Sequence, residues 1–156
     1  MEVRLPNRTM YDGDILRYVH KLKIPDFRAV KMSDELPSRP FEKESGVLNF
    51  QTHLQSGSHW VCWYKNGDER YYFDSFGEPP PVEMMTYLKT KAELRDDAPV
   101  IRRSAVVVQH FDSNECGSLC LYVLKLLSEK VPFSDILTHL LARYKHPHPL
   151  VIKVSS

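Results

Sequence analysis

The 156-residue sequence predicts an α+β fold: a central mixed sheet with an antiparallel hairpin, packed against a central helix that carries a reactive cysteine. Three stretches carry that expectation. Residues 58–77, "SHWVCWYKNGDERYYFDSFG", place two aromatic-rich runs on either side of Asn66-Gly67. That dipeptide suits a type I′ hairpin turn, because both of its positions need positive φ. Residues 115–129, "ECGSLCLYVLKLLSE", are apolar around most of a helical surface, the mark of a helix enclosed by its neighbours. Val106-Val107-Val108, inside 99–109, is a β-branched run of the buried-strand kind.

The remaining elements follow in chain order. Residues 11–24 predict a helix, since Ile15, Tyr18, Val19 and Leu22 fall at helical spacing and Asp12 or Asp14 can cap the start. Segments 28–32 and 46–52 read as short strands, and the charged, proline-containing "SDELPSRPFEKES" between them as a surface loop. "GEPPP" at 77–81 is a stiff bend leading to a helix over 82–95. A last helix fits 134–144, with Ser134 as cap and Pro132 just outside. With no repeat or linker in view, the expectation is one domain, residues 1–156.

Hydrophobic residues are 42% and charged residues 26%, close to the soluble globular average. A net charge of +1 disfavours a purely electrostatic nucleic-acid binder. Three cysteines, an odd number, argue against a disulfide framework and for an intracellular, reducing compartment. There is no charged-then-apolar leader and no apolar run near the ~18 residues of a membrane span, so no membrane partner is expected. A monomer is expected.

The hairpin joins a histidine to an aspartate. With Asn66-Gly67 as the turn, Lys65 faces Asp68 and, counting outward, His59 faces Asp74. Directly opposite Cβ atoms lie roughly 4.5–5.5 Å apart, close enough for a carboxylate to hold one imidazole nitrogen and set the tautomer of the other. Such a pair is more often a surface hydrogen bond than a catalytic one, and the hairpin alone does not decide between them.

Cys116 follows the polar "DSN" turn and opens the apolar helix. Unpaired N–H groups and the helix dipole favour a negative charge there, which together with a nearby histidine activates a thiol. Gly117 leaves space for a substrate backbone to approach the sulfur. Cys62 and Cys120 sit in apolar surroundings and read as packing residues. A zinc site built from His59, Cys62, His110, Cys116 and Cys120 is the competing reading. The spacings oppose it, since no C-x₂-C pair occurs and a strand points His59 and Cys62 to opposite sides. No metal is expected.

"GSHWVCWY", "YYFDSFGEPP" and "VVVQHFDSNECGSLCLYVL" together resemble the adenain-like cysteine proteases, the family of the adenovirus maturation protease, also found in self-synthesising DNA transposons and related viruses. The SUMO- and ubiquitin-like-protein proteases are more distant relatives. The resemblance spans about 57–123. It implies that His59, in Gly57-Ser58-His59-Trp60, is the base and that Asp74, before Ser75-Phe76-Gly77, is its acid. The SUMO proteases carry aspartate at that position, and adenain carries glutamate. Gln109, seven residues before the nucleophile Cys116, is implied as the oxyanion donor. Trp60 is implied as a wall of the substrate channel, although regular β geometry points it away from His59.

The implied activity is a thiol endopeptidase acting on protein substrates beside small, glycine-type residues, in viral or transposon protein maturation. The alternatives are an isopeptidase on SUMO or ubiquitin-like conjugates, an acyltransferase on the same residues, and an inactive binding module. The chain is shorter than adenain and shows no convincing peptide-linking cysteine, so an activating peptide or DNA is not carried over as a cofactor. The 82–103 segment, with Arg102-Arg103, reads first as a solvated basic patch.

Overall fold

The computed structural model describes residues 1–32, 35–51, 58–89 and 101–155. Among these, five strands form a mixed sheet in the order β2 (Phe27–Met32), β3 (Lys43–Gln51), β4 (Ser58–Asn66), β5 (Glu69–Phe73) and β6 (Ile101–Arg103). The inner pairs β3–β4 and β4–β5 are antiparallel, and the outer pairs β2–β3 and β5–β6 are parallel. A separate antiparallel pair joins β1 (Glu2–Arg4) to β7 (Val151–Lys153). The helices are α1 (Asp12–Leu22), α2 (Val82–Leu88), α3 (Cys116–Ser128) and α4 (Phe133–Lys145). The architecture is the mixed α+β arrangement expected from the sequence.

Alternation along β4 divides the core into two layers. Trp60 and Cys62 face α3, within a cluster holding Leu119, Cys120, Val123, Ile15 and Leu140. Val61 and Trp63 face α2, with Leu48, Tyr72, Met84 and Leu88. Helix α3 is buried along nearly its whole length, from Cys116 to Leu127. That explains why its sequence is apolar all round: it has sheet on one side and α1 and α4 on others.

The α2 layer is organised around a buried carboxylate. Glu44 accepts hydrogen bonds from Arg28 at 2.9 Å, from the Trp63 indole at 2.8 Å and from the Tyr87 hydroxyl, tying β2, β4 and α2 to β3. Gly46 lies opposite Trp63, and a side chain there would run into the indole at 2.2 Å. The glycine therefore makes room for the largest ring in that layer.

Several boundaries depart from the sequence expectations. Strand β3 begins at Lys43, inside the segment expected to be loop, because antiparallel pairing with β4 extends to Lys43–Asn66. The helix expected over 82–95 is seen over Val82–Leu88, and its expected continuation falls on residues 90–95, outside the described residues. Helix α4 starts at Phe133, so Ser134 lies within it and no side chain caps its start. At α1, Asp14 accepts from the Tyr11 N–H at 3.0 Å and is the carboxylate that caps.

The strand expected over 99–109 is cut to Ile101–Arg103. Its partner β5 ends at Phe73, because residues 74–77 turn back on themselves, with the Gly77 N–H on the Asp74 C=O at 2.9 Å and Gly77 at φ 73°. Beyond Ser104 there is no ladder left to join. Of the three valines, Val108 is buried and Val107 is 46% exposed.

Candidate active site

The hairpin turn is Gly67-Asp68, one residue later than expected, with Asn66 paired to Glu69. Positive φ falls on Gly67 at 60° and not on Asp68, as in a type II′ turn. The register therefore moves by two positions, which keeps every side chain of the ladder on its original face. The ladder stops at Cys62–Phe73, so His59 has no strand partner in β5, and the turn at 74–77 brings Asp74 and Phe76 to it instead.

Both contacts are present. The His59 Nε2 and Asp74 Oδ1 are 2.9 Å apart, and the Phe76 ring lies against the imidazole at 5.1 Å between centroids. The pairing of His59 with Asp74 is as the sequence suggests, although the register behind it is not. Asp74 is further held through its backbone. The Ser104 hydroxyl accepts from its N–H and donates to its C=O, both at 2.9 Å, while the Phe76 N–H donates to Oδ1 at 2.8 Å.

Cys116 is the first residue of α3, buried at 8% exposure, and is near enough to His59 to act on its imidazole. With Nε2 committed to Asp74, Nδ1 is the other ring nitrogen. Burial of the ring works against its charge, but Asp74 and Cys116 together outweigh it and raise the imidazole from 6.5 to about 9.

The helix start that presents Cys116 is anchored on both sides. Glu115 forms a two-pronged pair with Arg143 of α4 at 2.7 and 3.0 Å, and Ser118 donates to the Pro6 C=O at 2.6 Å. Gln109 is buried, accepting from the Ser75 hydroxyl at 2.5 Å and donating to the Ser113 C=O at 3.0 Å. Since Ser75 follows Asp74 directly, Gln109 joins the His59–Cys116 pair through one peptide bond. Structure thus links His59, Asp74 and Gln109 in one network, with Cys116 beside His59.

The two residues expected to contact substrate both make core contacts. A Cβ at Gly117 would meet Met10 and Ile15 at 3.2 Å, so this glycine serves the packing of α1 on α3. Trp60 is 5% exposed in the core and donates its indole N–H to the Met10 C=O at 2.9 Å. Gly57 lies outside the described residues. Cys62 and Cys120 meet at the β4–α3 contact, with the Cys62 thiol 3.8 Å from the Cys120 C=O, and burial pushes the Cys120 thiol well up. Neither is a rival nucleophile. Among the described residues no group of His, Cys, Asp and Glu is arranged to hold a metal, and no helix is long and apolar enough to cross a membrane.

No family model and no curated protein matches the sequence. Solved structures do match. The ASFV pS273R protease superposes with a TM-score of 0.54 at 17% identity, covering 97% of this chain and 72% of that one. Its selenomethionine form gives 0.54 at 16%, covering 92% and 71%. This chain has the pS273R protease fold. The SUMO protease Ulp1, with its catalytic cysteine oxidised to a sulfenic acid, gives 0.48 at 13% identity over 90% of this chain and 76% of that one.

Within the pS273R-type fold, sequence reasoning missed Ser75, Phe76, Ser104 and the Glu115–Arg143 pair. Ser75 and Phe76 stood inside a quoted motif, and their adjacency to Asp74 was the available signal. Nothing in the sequence links Ser104 to Asp74 or Arg143 to Glu115, because those contacts span 30 and 28 residues.

Proposed function

We propose that this chain is a cysteine endopeptidase that cuts protein substrates beside small, glycine-type residues, in the maturation of viral or transposon proteins. The carrying observation is the buried His59, bonded to Asp74 at 2.9 Å, with Cys116 opening the helix beside it. A buried histidine raised to about 9 by an acid and a neighbouring cysteine is a base held ready for that thiol, and packing alone does not call for one.

His59 takes the Cys116 proton, and the sulfur attacks the substrate carbonyl carbon. The oxyanion so formed takes hydrogen bonds from the Gln109 carboxamide and the Cys116 N–H. His59 gives its proton to the departing amine as the C–N bond breaks, leaving a thioester on Cys116. Water then attacks the thioester, delivering a proton to His59, and the carboxylate product leaves with the thiolate restored.

The test is alkylation of Cys116 by iodoacetamide across pH, followed by cleavage assays on glycine-containing peptides and on SUMO and ubiquitin conjugates. Fast reaction well below the ordinary thiol range near ~8.5, lost in His59→Ala and absent in Cys116→Ala, is the expected outcome. Cleavage confined to the conjugates would replace the endopeptidase with an isopeptidase. Slow alkylation with no cleavage of any substrate would leave a binding module and end the peptidase reading.

A further inference from the structure

Resting on the peptidase reading, we infer that Ser75 is a positioning residue for the oxyanion donor: it holds the Gln109 carboxamide so that an N–H, and not the C=O, faces the reacting carbonyl. A carboxamide has two orientations of nearly the same shape, related by exchange of its oxygen and nitrogen. Only one of them can stabilise an oxyanion, because the other presents a carbonyl oxygen and repels it.

The Ser113 C=O makes the choice: it can only accept, so Nε2 faces it, at 3.0 Å. The Ser75 hydroxyl, able to donate or accept, then donates to Oε1 at 2.5 Å and holds the other end of the group in that orientation. Nε2 carries two hydrogens, and Ser113 uses one, which leaves one for a substrate oxygen. Ser75 has no exposed surface, so water is poorly placed to substitute for its hydroxyl.

The backbone reinforces the side-chain contact. The Val108 N–H donates to the Ser75 C=O at 2.8 Å, so Ser75 fastens the 108–109 segment through both its main chain and its side chain. Its predecessor Asp74 holds His59 at 2.9 Å. One dipeptide at the end of β5 thereby orients the base with one residue and the oxyanion donor with the next. This couples two parts of the site that lie 50 residues apart in sequence, His59 and Gln109.

The experiment compares Ser75→Ala, Gln109→Ala and the double variant in two assays on the full chain. Peptide turnover passes through an oxyanion, whereas alkylation by iodoacetamide does not. Expected for Ser75→Ala is a loss of about tenfold or more in kcat with KM little changed, and a wild-type alkylation rate and pH profile. Gln109→Ala should lose about 10²–10³-fold, and adding Ser75→Ala to it should change nothing further.

Equal losses from Ser75→Ala in both backgrounds would overturn the inference, since the serine would then not act through Gln109. So would a parallel loss of alkylation, which would mean a general disturbance of the fold. A wild-type chain that neither alkylates quickly nor cleaves refutes the peptidase reading and this inference with it. A wild-type chain that does both, with Ser75→Ala indistinguishable from it, refutes this inference alone.

Discussion

His59 carries the electrostatic logic of the site. His59 is 6% exposed, a position that by itself favours the neutral ring, yet the bond to Asp74 and the influence of Cys116 take it to about 9. A raised pKa of this kind stabilises the fold fully below the unfolded value near 6.5, and the contribution disappears as pH rises through about 9. Thermal stability of the wild type should therefore fall between pH 6.5 and 9 by more than that of His59→Ala. On the peptidase reading, kcat/KM should fall with an apparent pKa near 9, as the imidazolium that protonates the leaving amine is lost. Asp74→Asn keeps the shape of the acid but not its charge. Its alkaline limb should move down toward 6.5, and an unmoved limb in the pH–rate profile would show that Asp74 does not support the charge on His59.

The strand–turn end of β5 and the first turn of α3 do the positioning, and the α2 layer supports them from behind. That layer depends on Gly46 being a glycine, since its absent side chain is where the Trp63 indole sits. Gly46→Ala should cost about 1–3 kcal/mol by overpacking, measured by urea unfolding, with the alkylation rate of Cys116 in the folded protein unchanged. Glu44 is the polar counterpart. Its carboxylate is buried and gathers Arg28, Trp63 and Tyr87. Truncation to Ala leaves the Arg28 guanidinium without its carboxylate in a mostly buried position, and a loss of about 3–5 kcal/mol is expected in the same unfolding measurement.

At the scale of the molecule, the two ends of the described chain are tied together beside α3. Strands β1 and β7 pair, with the Val154 N–H on the Met1 C=O at 2.8 Å, and Val3, Leu5, Ile152 and Val154 are all buried in the α3 cluster. Helix α3 is thus packed by residues from near the first and last positions described. Ile152→Ala should destabilise by about 2–5 kcal/mol. Because α3 and β4 share this core, Cys116 alkylation in urea should lose its His59-dependent rate at the same midpoint as global unfolding by circular dichroism. A site that disappears well before the fold does would show that the loop before α3 opens independently.

The sequence by itself determined the α+β class, the hairpin and the enclosed helix, and offered His59, Asp74 and Cys116 as candidates, because each has a local signature. Aromatic alternation around a glycine turn and an apolar helix with a cysteine at its start are short-range patterns, whereas Gln109 was singled out only by the resemblance to adenain-like proteases. Parity also protected one conclusion, since a hairpin register wrong by two still places His59 and Asp74 on the same face. Tertiary structure alone decided what Gly117 and Trp60 do. Whether space beside a glycine is open or filled depends on what packs there, and Met10 and Ile15 come from a different part of the chain. It also ended the 99–109 strand early, because a β-branched run becomes a strand only where a partner offers backbone groups, and β5 turns away at Asp74. Ser75, Ser104 and Arg143 became visible for the same reason: a hydrogen bond across about thirty residues leaves no periodicity in the sequence, only a distance in the folded chain.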